Sequence, residues 1–295
     1  MIDLKFNGHL KKSGVFRKSS AFLKQIPRLL VRYSSAVSDY QSDPPILANS
    51  FPKSGTHLLL QILEALPDTV NYGSFIASMP TITFRERSKS AHLRLIKNIV
   101  PGEVLPAHLF FSPIYQQELN NKNCVHYFIY RDLRDVAISD AYYLTYMNPY
   151  HRMHKYFSKK CKTMEERIST AILGVTEQDF PYDYPNIAKR FARYRGWLLC
   201  PEVLSIKYEE LVSERRISVL RKMVEHYFNS SRKNFQFEEV LETAIENIDP
   251  FKSHTYRKGR VGGWRDAFTD LHRSQMKAVA GDLLVGLGFE EDFNW

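Results

Sequence analysis

An apolar run, Ile46-Leu47-Ala48, meets Ser50-Phe51-Pro52-Lys53-Ser54-Gly55-Thr56-His57, and a second apolar run from Leu58 to Leu66 follows at once. That order reads as strand, tight glycine-containing turn, then helix. A turn of this kind aims several backbone N–H groups and a helix N-terminus at one point, which is where an anion is held. Lys53 adds a full positive charge there, and Ser54 and Thr56 add hydroxyl donors. The segment suits a phosphate or a sulfate. It is not a Walker A loop, because the lysine precedes the glycine and Gly-x-x-x-x-Gly-Lys is absent.

Two further strand-like runs extend the pattern. Cys124 to Tyr130 leads into Arg131-Asp132 and a helical stretch from Leu133 to about Tyr146, and Val203 to Tyr208 leads into a helical pattern through Ile217, Leu220 and Val224. Strands alternating with helices predict an α/β fold, a P-loop-like parallel sheet of about five strands with helices on both faces. Ligands of such sheets lie beyond the carboxyl ends of the strands, and Lys53, Arg131 and Tyr208 each fall at or just after one. Helices are expected over Met164–Val175 and Tyr184–Leu199. The irregular parts of 147–185 are expected to form a lid or substrate wall.

Charge divides the chain. Residues 1–40 hold eight Lys and Arg against two Asp, so +6 of the net +9 sits in this arm. Asp43-Pro44-Pro45 ends it, giving a basic arm with a short helix over 1–45 and a single domain over 46–295. Phe22, Leu23, Ile26, Leu29, Leu30 and Tyr33 follow helical spacing, with Pro27 expected to break or start the helix. The arm reads either as solvated chain with a docking helix or as a weak contact for an anionic membrane surface. Nothing points to nucleic acid. Cys124, Cys161 and Cys200 form neither a metal-ligand pattern nor a disulfide framework, which suits a reducing, cytoplasmic setting. No apolar run approaches the roughly 20 residues that span a bilayer.

Ser-Phe-Pro-Lys-Ser-Gly-Thr over 50–56 resembles the 5′-phosphosulfate loop of the PAPS-dependent sulfotransferases. Arg131-Asp132-Leu133-Arg134-Asp135-Val136-Ala137-Ile138-Ser139 resembles that family's 3′-phosphate segment, and Arg257-Lys258-Gly259-Arg260-Val261-Gly262-Gly263-Trp264-Arg265 its C-terminal glycine-rich loop. Physical sense supports each match. Arg131 leaves a strand as a forked donor, Ser139 follows about two helical turns on, and glycines let backbone wrap closely around a phosphate. The resemblance implies PAPS as co-substrate, 3′-phosphoadenosine 5′-phosphate as product, and no metal. It implies a cofactor site of Lys53, Ser54, Gly55, Thr56, His57, Arg131, Ser139, Tyr208, Arg257, Lys258 and Gly259.

His108, in Leu105-Pro106-Ala107-His108-Leu109, sits where the family's catalytic base occurs, and imidazole titrates near neutrality. With His108 as base, Lys53 and Ser139 complete the catalytic set the resemblance implies, and His57 is the runner-up base. There are departures. Leu58 stands where many members have an adenine-stacking Trp, and Pro106 where they have a helper Lys. Tyr208 matches an adenine-contacting Tyr, and Phe251 is a candidate for the other face. The usual dimer motif reads Arg265, Thr269, Asp270, Ser274, which leaves the oligomeric state open.

These residues lead to sulfuryl transfer from PAPS to a hydroxyl, or less readily an amine, of a small molecule by in-line displacement. Tyr142–Phe157 and Phe180–Tyr184 are expected to line the acceptor pocket. The rivals are a P-loop nucleotide kinase and a non-catalytic protein that binds nucleotide or a membrane surface.

Overall fold

The computed structural model describes residues 14–176, 178, 180–249 and 260–295, with side chains from residue 23 onward. Its elements run α1 (Gly14–Ser34), α2 (Asp39–Ser42), β1 (Ile46–Ser50), α3 (Thr56–Leu63), β2 (Ile76–Ala77), α4 (Lys89–Lys97), β3 (Val104–His108), α5 (Pro113–Asn121), β4 (Val125–Tyr130), α6 (Leu133–Tyr142), α7 (Met164–Leu173), α8 (Ile187–Arg195), β5 (Val203–Lys207), α9 (Tyr208–Leu211), α10 (Arg216–Phe228), α11 (Phe237–Glu246), α12 (Trp264–Ala267) and α13 (Asp270–Gly286).

The strands form one five-stranded sheet in the order β2-β3-β1-β4-β5, every pairing parallel. Ile46 is in register with Val104 on one side and Val125 on the other, so β1 is central. All five of its residues are buried, as are all six of β4. Alternation splits the core in two. Leu47, Phe128 and Tyr130 pack with α6, α7, α8 and α13, whereas Ala48, Tyr127 and Ile129 pack with α3, α10 and α11. Helices therefore cover both faces, as parallel strands require.

Two strands escaped the sequence pattern. β2 is only two residues long, and β3 contains Pro106. The proline is tolerated because of which edge it faces. The Val104 N–H and the His108 carbonyl both point to the β2 side, bonding Val70 O and Ser78 N, so the N–H that Pro106 lacks would point there too. β2 begins opposite Ala107, one residue further on. No ladder bond is lost.

Several boundaries shift from expectation. α1 runs 21 residues through Pro27, because Gln25 and Arg28 on either side of the proline both anchor it to the body. α6 ends at Tyr142 and continues as a π-helical turn, Tyr143–Met147. α7 stops before Gly174, whose φ of 84° is left-handed. α8 starts at Ile187, behind Pro185 and the Asn186 cap. No described helix is long and apolar enough to cross a membrane.

Candidate active site

Because the strands are parallel, their carboxyl ends share one edge of the sheet, and the chain crosses from one side of β1 to the other between β3 and β4. The crevice outside β1 is where such sheets take ligands. A cleft of about 1790 Å³ opens there. Its walls include Lys53, Gly55, Thr56, His57 and Leu58 after β1, His108 at the end of β3, Arg131 and Ser139 after β4, and Tyr208 after β5.

The turn after β1 is built for close approach. Lys53 has φ +68° and Gly55 φ +99°. A Cβ on Gly55 would lie 2.6 Å from Cδ2 of Tyr208, so the backbone comes this near the tyrosine only as glycine. The first intrahelical bond of α3 runs from the Leu59 N–H to the Gly55 carbonyl, which leaves the preceding N–H groups without helical partners. Ser54 is fully buried, and its Oγ has no hydrogen-bond partner. The Lys53 ammonium lies 3.8 Å from the centre of the Tyr143 ring. Tyr143 opens the π-helical turn, a distortion often found at functional sites.

His108 is held by β1. Its Nδ1 is 3.0 Å from the Ser50 carbonyl oxygen and 3.0 Å from Ser50 Oγ. A carbonyl only accepts, so Nδ1 carries the proton and Nε2 is the accepting nitrogen of the neutral ring. Ser50 Oγ in turn lies 2.7 Å from Thr56 Oγ1, joining the histidine to the start of α3. Burial, aided by the Lys53 charge, pushes the His108 pKa down to about 4, against the opposing effect of hydrogen bonds that the ring donates to the Ser50 and Ala107 backbone. The ring is therefore neutral near pH 7. Phe75 meets it edge-on at 5.0 Å.

Behind this histidine the strand ends are clamped. The Asn49 amide brackets Leu109, accepting from its N–H at 2.8 Å and donating to its carbonyl at 3.2 Å. Trp197 Nε1 donates to the same carbonyl. None of these partners is adjacent in sequence, which is why the role of Asn49 has no signal there.

On the other side, Arg131 donates to Asp135 at 3.1 Å and to the Arg260 carbonyl at 2.7 Å, and its guanidinium lies 4.6 Å from the Tyr208 ring centre. Its buried Nε has no partner. Asp135 also accepts from the N–H groups of Gly262 and Trp264, tying the glycine-rich segment to α6. Arg257, Lys258, Gly259 and Phe251 lie outside the described residues. Arg134 points the other way. Its guanidinium is sandwiched between Trp264 at 3.8 Å and Trp295 at 4.5 Å and is paired with Asp132 and Glu290, so it fastens the C-terminal segment. Thr269 likewise caps α13 through a capping box with His272.

Aromatic residues line much of the remaining cleft. Tyr142, Tyr143, His151 and Tyr184 from the two segments expected to line it do reach it. Met153 and Phe157 do not, being fully buried in the core, and Phe180 and Tyr182 pack against that core. His151 is a histidine the motifs did not single out. Its Nδ1 accepts from the Met153 N–H at 3.1 Å, which leaves an Nε2–H donor, and burial pushes its pKa to about 4. Nearby Asp140 receives the Tyr184 hydroxyl at 3.0 Å and Arg190 at 2.5 Å, bracing the wall.

The site's chemistry fits a phosphate-bearing nucleotide: a lysine, a guanidinium with an orphaned nitrogen at Arg131 and the start of α3 line one cleft, with the orphaned Ser54 hydroxyl buried in the turn behind them. Comparison with known proteins agrees. A flavonol sulfotransferase-like protein of Flaveria bidentis is 23% identical over 292 residues, covering 86% of each chain. The 3-alpha-hydroxysteroid sulfotransferase of Cavia porcellus is 23% identical over 273 residues, covering 83% of this chain and 85% of its own. The crystal structure of mouse sulfotransferase SULT7A1 complexed with PAP has a TM-score of 0.56 at 20% identity, covering 83% of this chain and 84% of that one, a likeness of fold. The sulfotransferase domain family matches residues 43–288, a stretch that takes in every strand of the sheet, and the chain belongs to that family.

Proposed function

We propose that this sulfotransferase moves the sulfuryl group of PAPS to the hydroxyl of a small, largely apolar acceptor. The observation that carries the reading is His108: neutral, with Nε2 left as acceptor, and joined through Ser50 to the anion-binding turn. His108 takes the acceptor's hydroxyl proton at Nε2 as the new oxygen–sulfur bond forms. The bond from sulfur to the bridging phosphate oxygen breaks, and its electron pair leaves with the phosphate. Lys53, with the hydroxyls of Ser54 and Thr56 and the N–H groups from Gly55 to Leu58, opposes the charge arriving there. Preorganised donors of this kind are usually the largest catalytic term.

Arg131 and Ser139, with Arg257, Lys258 and Gly259 of the glycine-rich loop, grip the 3′-phosphate and so favour PAPS over ATP. Arg131 meets this role with an unpartnered Nε, and Ser139 faces the cleft. Tyr208 holds the turn against Gly55 and offers a ring edge to the adenine, and Leu58 takes the place of the missing Trp. His57, second in α3, adds its N–H rather than a base. On the acceptor side, Phe75, Met79, Phe84 and Tyr143 supply apolar walls, and the His151 Nε2–H orients a polar atom. The free thiols of Cys124, Cys161 and Cys200 support a cytoplasmic setting.

The test is transfer from radiolabelled PAPS to a panel of hydroxylated acceptors. His108→Ala is expected to lower turnover by about 10²–10⁴-fold while 3′-phosphoadenosine 5′-phosphate still raises the melting midpoint. Near-normal turnover in that variant would remove His108 as base. A midpoint raised by Mg·ATP but not by 3′-phosphoadenosine 5′-phosphate would replace the whole reading with a kinase.

A further inference from the structure

α1 is amphipathic in the reverse sense. Surface helices of globular proteins bury their apolar stripe and turn the polar face to water. Here the polar side docks. Arg28 makes a bidentate pair with buried Glu103, Nε to Oε1 at 2.7 Å and Nη2 to Oε2 at 3.0 Å, and reaches the Asn98 carbonyl at 2.8 Å. Gln25 donates to the Tyr72 carbonyl and Lys24 to that of Asn71. Opposite them, Leu23, Ile26, Leu30 and Tyr33 are 64, 58, 67 and 82% exposed, and Val37 just past the helix is 84% exposed. At about 100° per residue, this stripe centres on the side of α1 facing away from the body. A row of large apolar side chains held out by polar contacts behind it marks a site for an apolar partner.

Charge selects the partner. The stripe belongs to the arm that carries +6, and exposed Arg32, on the polar side of α1, places its guanidinium 6.0 Å from the Tyr33 ring centre. A second copy would bring another +6 against the first, whereas an anionic bilayer attracts both features at once. Position supports this. The segment under α1, residues 71–75, is itself a wall of the cleft, with Lys24, Asn71 and Phe75 all on its lining and Phe75 against His108. Exposed Ile82 and Leu173 also line the cleft.

We infer that α1 is a docking helix for membrane surfaces bearing anionic headgroups, laid so that the cleft mouth meets the bilayer. Resting on the sulfotransferase reading, this makes the natural acceptor a hydroxyl-bearing amphiphile held in the lipid. The experiment is sedimentation of the full chain with vesicles of phosphatidylcholine alone or with about 30% phosphatidylserine, at low and high salt. It is repeated for the variant Leu23→Ser, Ile26→Ser, Leu30→Ser, Tyr33→Ser, whose fold and site are checked by the shift that 3′-phosphoadenosine 5′-phosphate produces.

The expected result is binding to the anionic vesicles at least about tenfold tighter than to neutral ones, weakened by salt and lost in the variant. Equal binding of the variant, or no binding to either vesicle, overturns the inference. So does a lipid-free dimer in sedimentation velocity that the variant dissolves, because the stripe would then be a self-interface. Docking without labelled-sulfate transfer would sink the enzymatic reading and leave the docking helix standing.

Discussion

Ser54 carries a cost in the free protein that a bound anion would remove. Its Oγ is fully buried and unpartnered, a position that disfavours the free protein. A phosphate oxygen delivered to the turn would satisfy it. Ser54→Ala is therefore expected to raise the stability of the free protein by about 1 kcal/mol while weakening affinity for 3′-phosphoadenosine 5′-phosphate by about tenfold. Thermal unfolding with and without the nucleotide reads both signs. A variant that loses stability, or binds as before, would place the hydroxyl outside the anion site. Gly55 beside it is limited by geometry instead, since the space a Cβ needs is occupied by Tyr208.

Among elements, α1 depends on a buried charge. Glu103 is completely buried and accepts from the Val100 N–H as well as from both Arg28 nitrogens. Taking away the guanidinium leaves an uncompensated carboxylate in the body while unpinning the helix. Arg28→Met is expected to cost about 3 kcal/mol in chemical denaturation and to open α1 to limited proteolysis. Unchanged stability would mean the helix is held by Lys24 and Gln25 alone. The element also shows what the chain order hides. Helical spacing over 22–33 was plain, but the spacing cannot say which face docks. That depends on Glu103 and Asn98, about 70 residues away in sequence.

For the whole molecule, the fold sinks histidines of the sheet and of the cleft wall into surroundings that disfavour their charge. Burial pushes His108 and His151 to about 4 and His126 to about 3. Each folded value lies below the unfolded value near 6.5, so between those limits the unfolded chain binds more protons. The stability they contribute is whole above pH 6.5 and is lost as pH falls toward 4 and then 3. The melting midpoint is expected to drop steadily from pH 7 to 5. His126 lies edge-on to Trp197, ring centres 4.5 Å apart, away from the cleft, so His126→Phe should flatten that slope without changing nucleotide binding. A midpoint independent of pH over this range would show that these histidines titrate normally.

The local order of apolar run, Lys-Ser-Gly-Thr turn and helix determined by itself that β1 and α3 would meet across a tight turn at the carboxyl edge of the sheet, because strand, turn and helix start are consecutive. The same holds for β4 with Arg131 and β5 with Tyr208. Only the tertiary structure decided the rest. β2 and β3 form because neighbouring strands offer ladders that so short or proline-bearing a segment could not specify alone. Arg134, a plain member of an Arg-Asp cluster in sequence, becomes a structural clamp because Trp264, Glu290 and Trp295 fold onto it from more than a hundred residues away. His108 has its accepting nitrogen set by Ser50, 58 residues earlier. Residue types that act with their chain neighbours are legible one by one. Tautomer, burial and the outward face of α1 come from partners distant in the chain, and only packing chooses those.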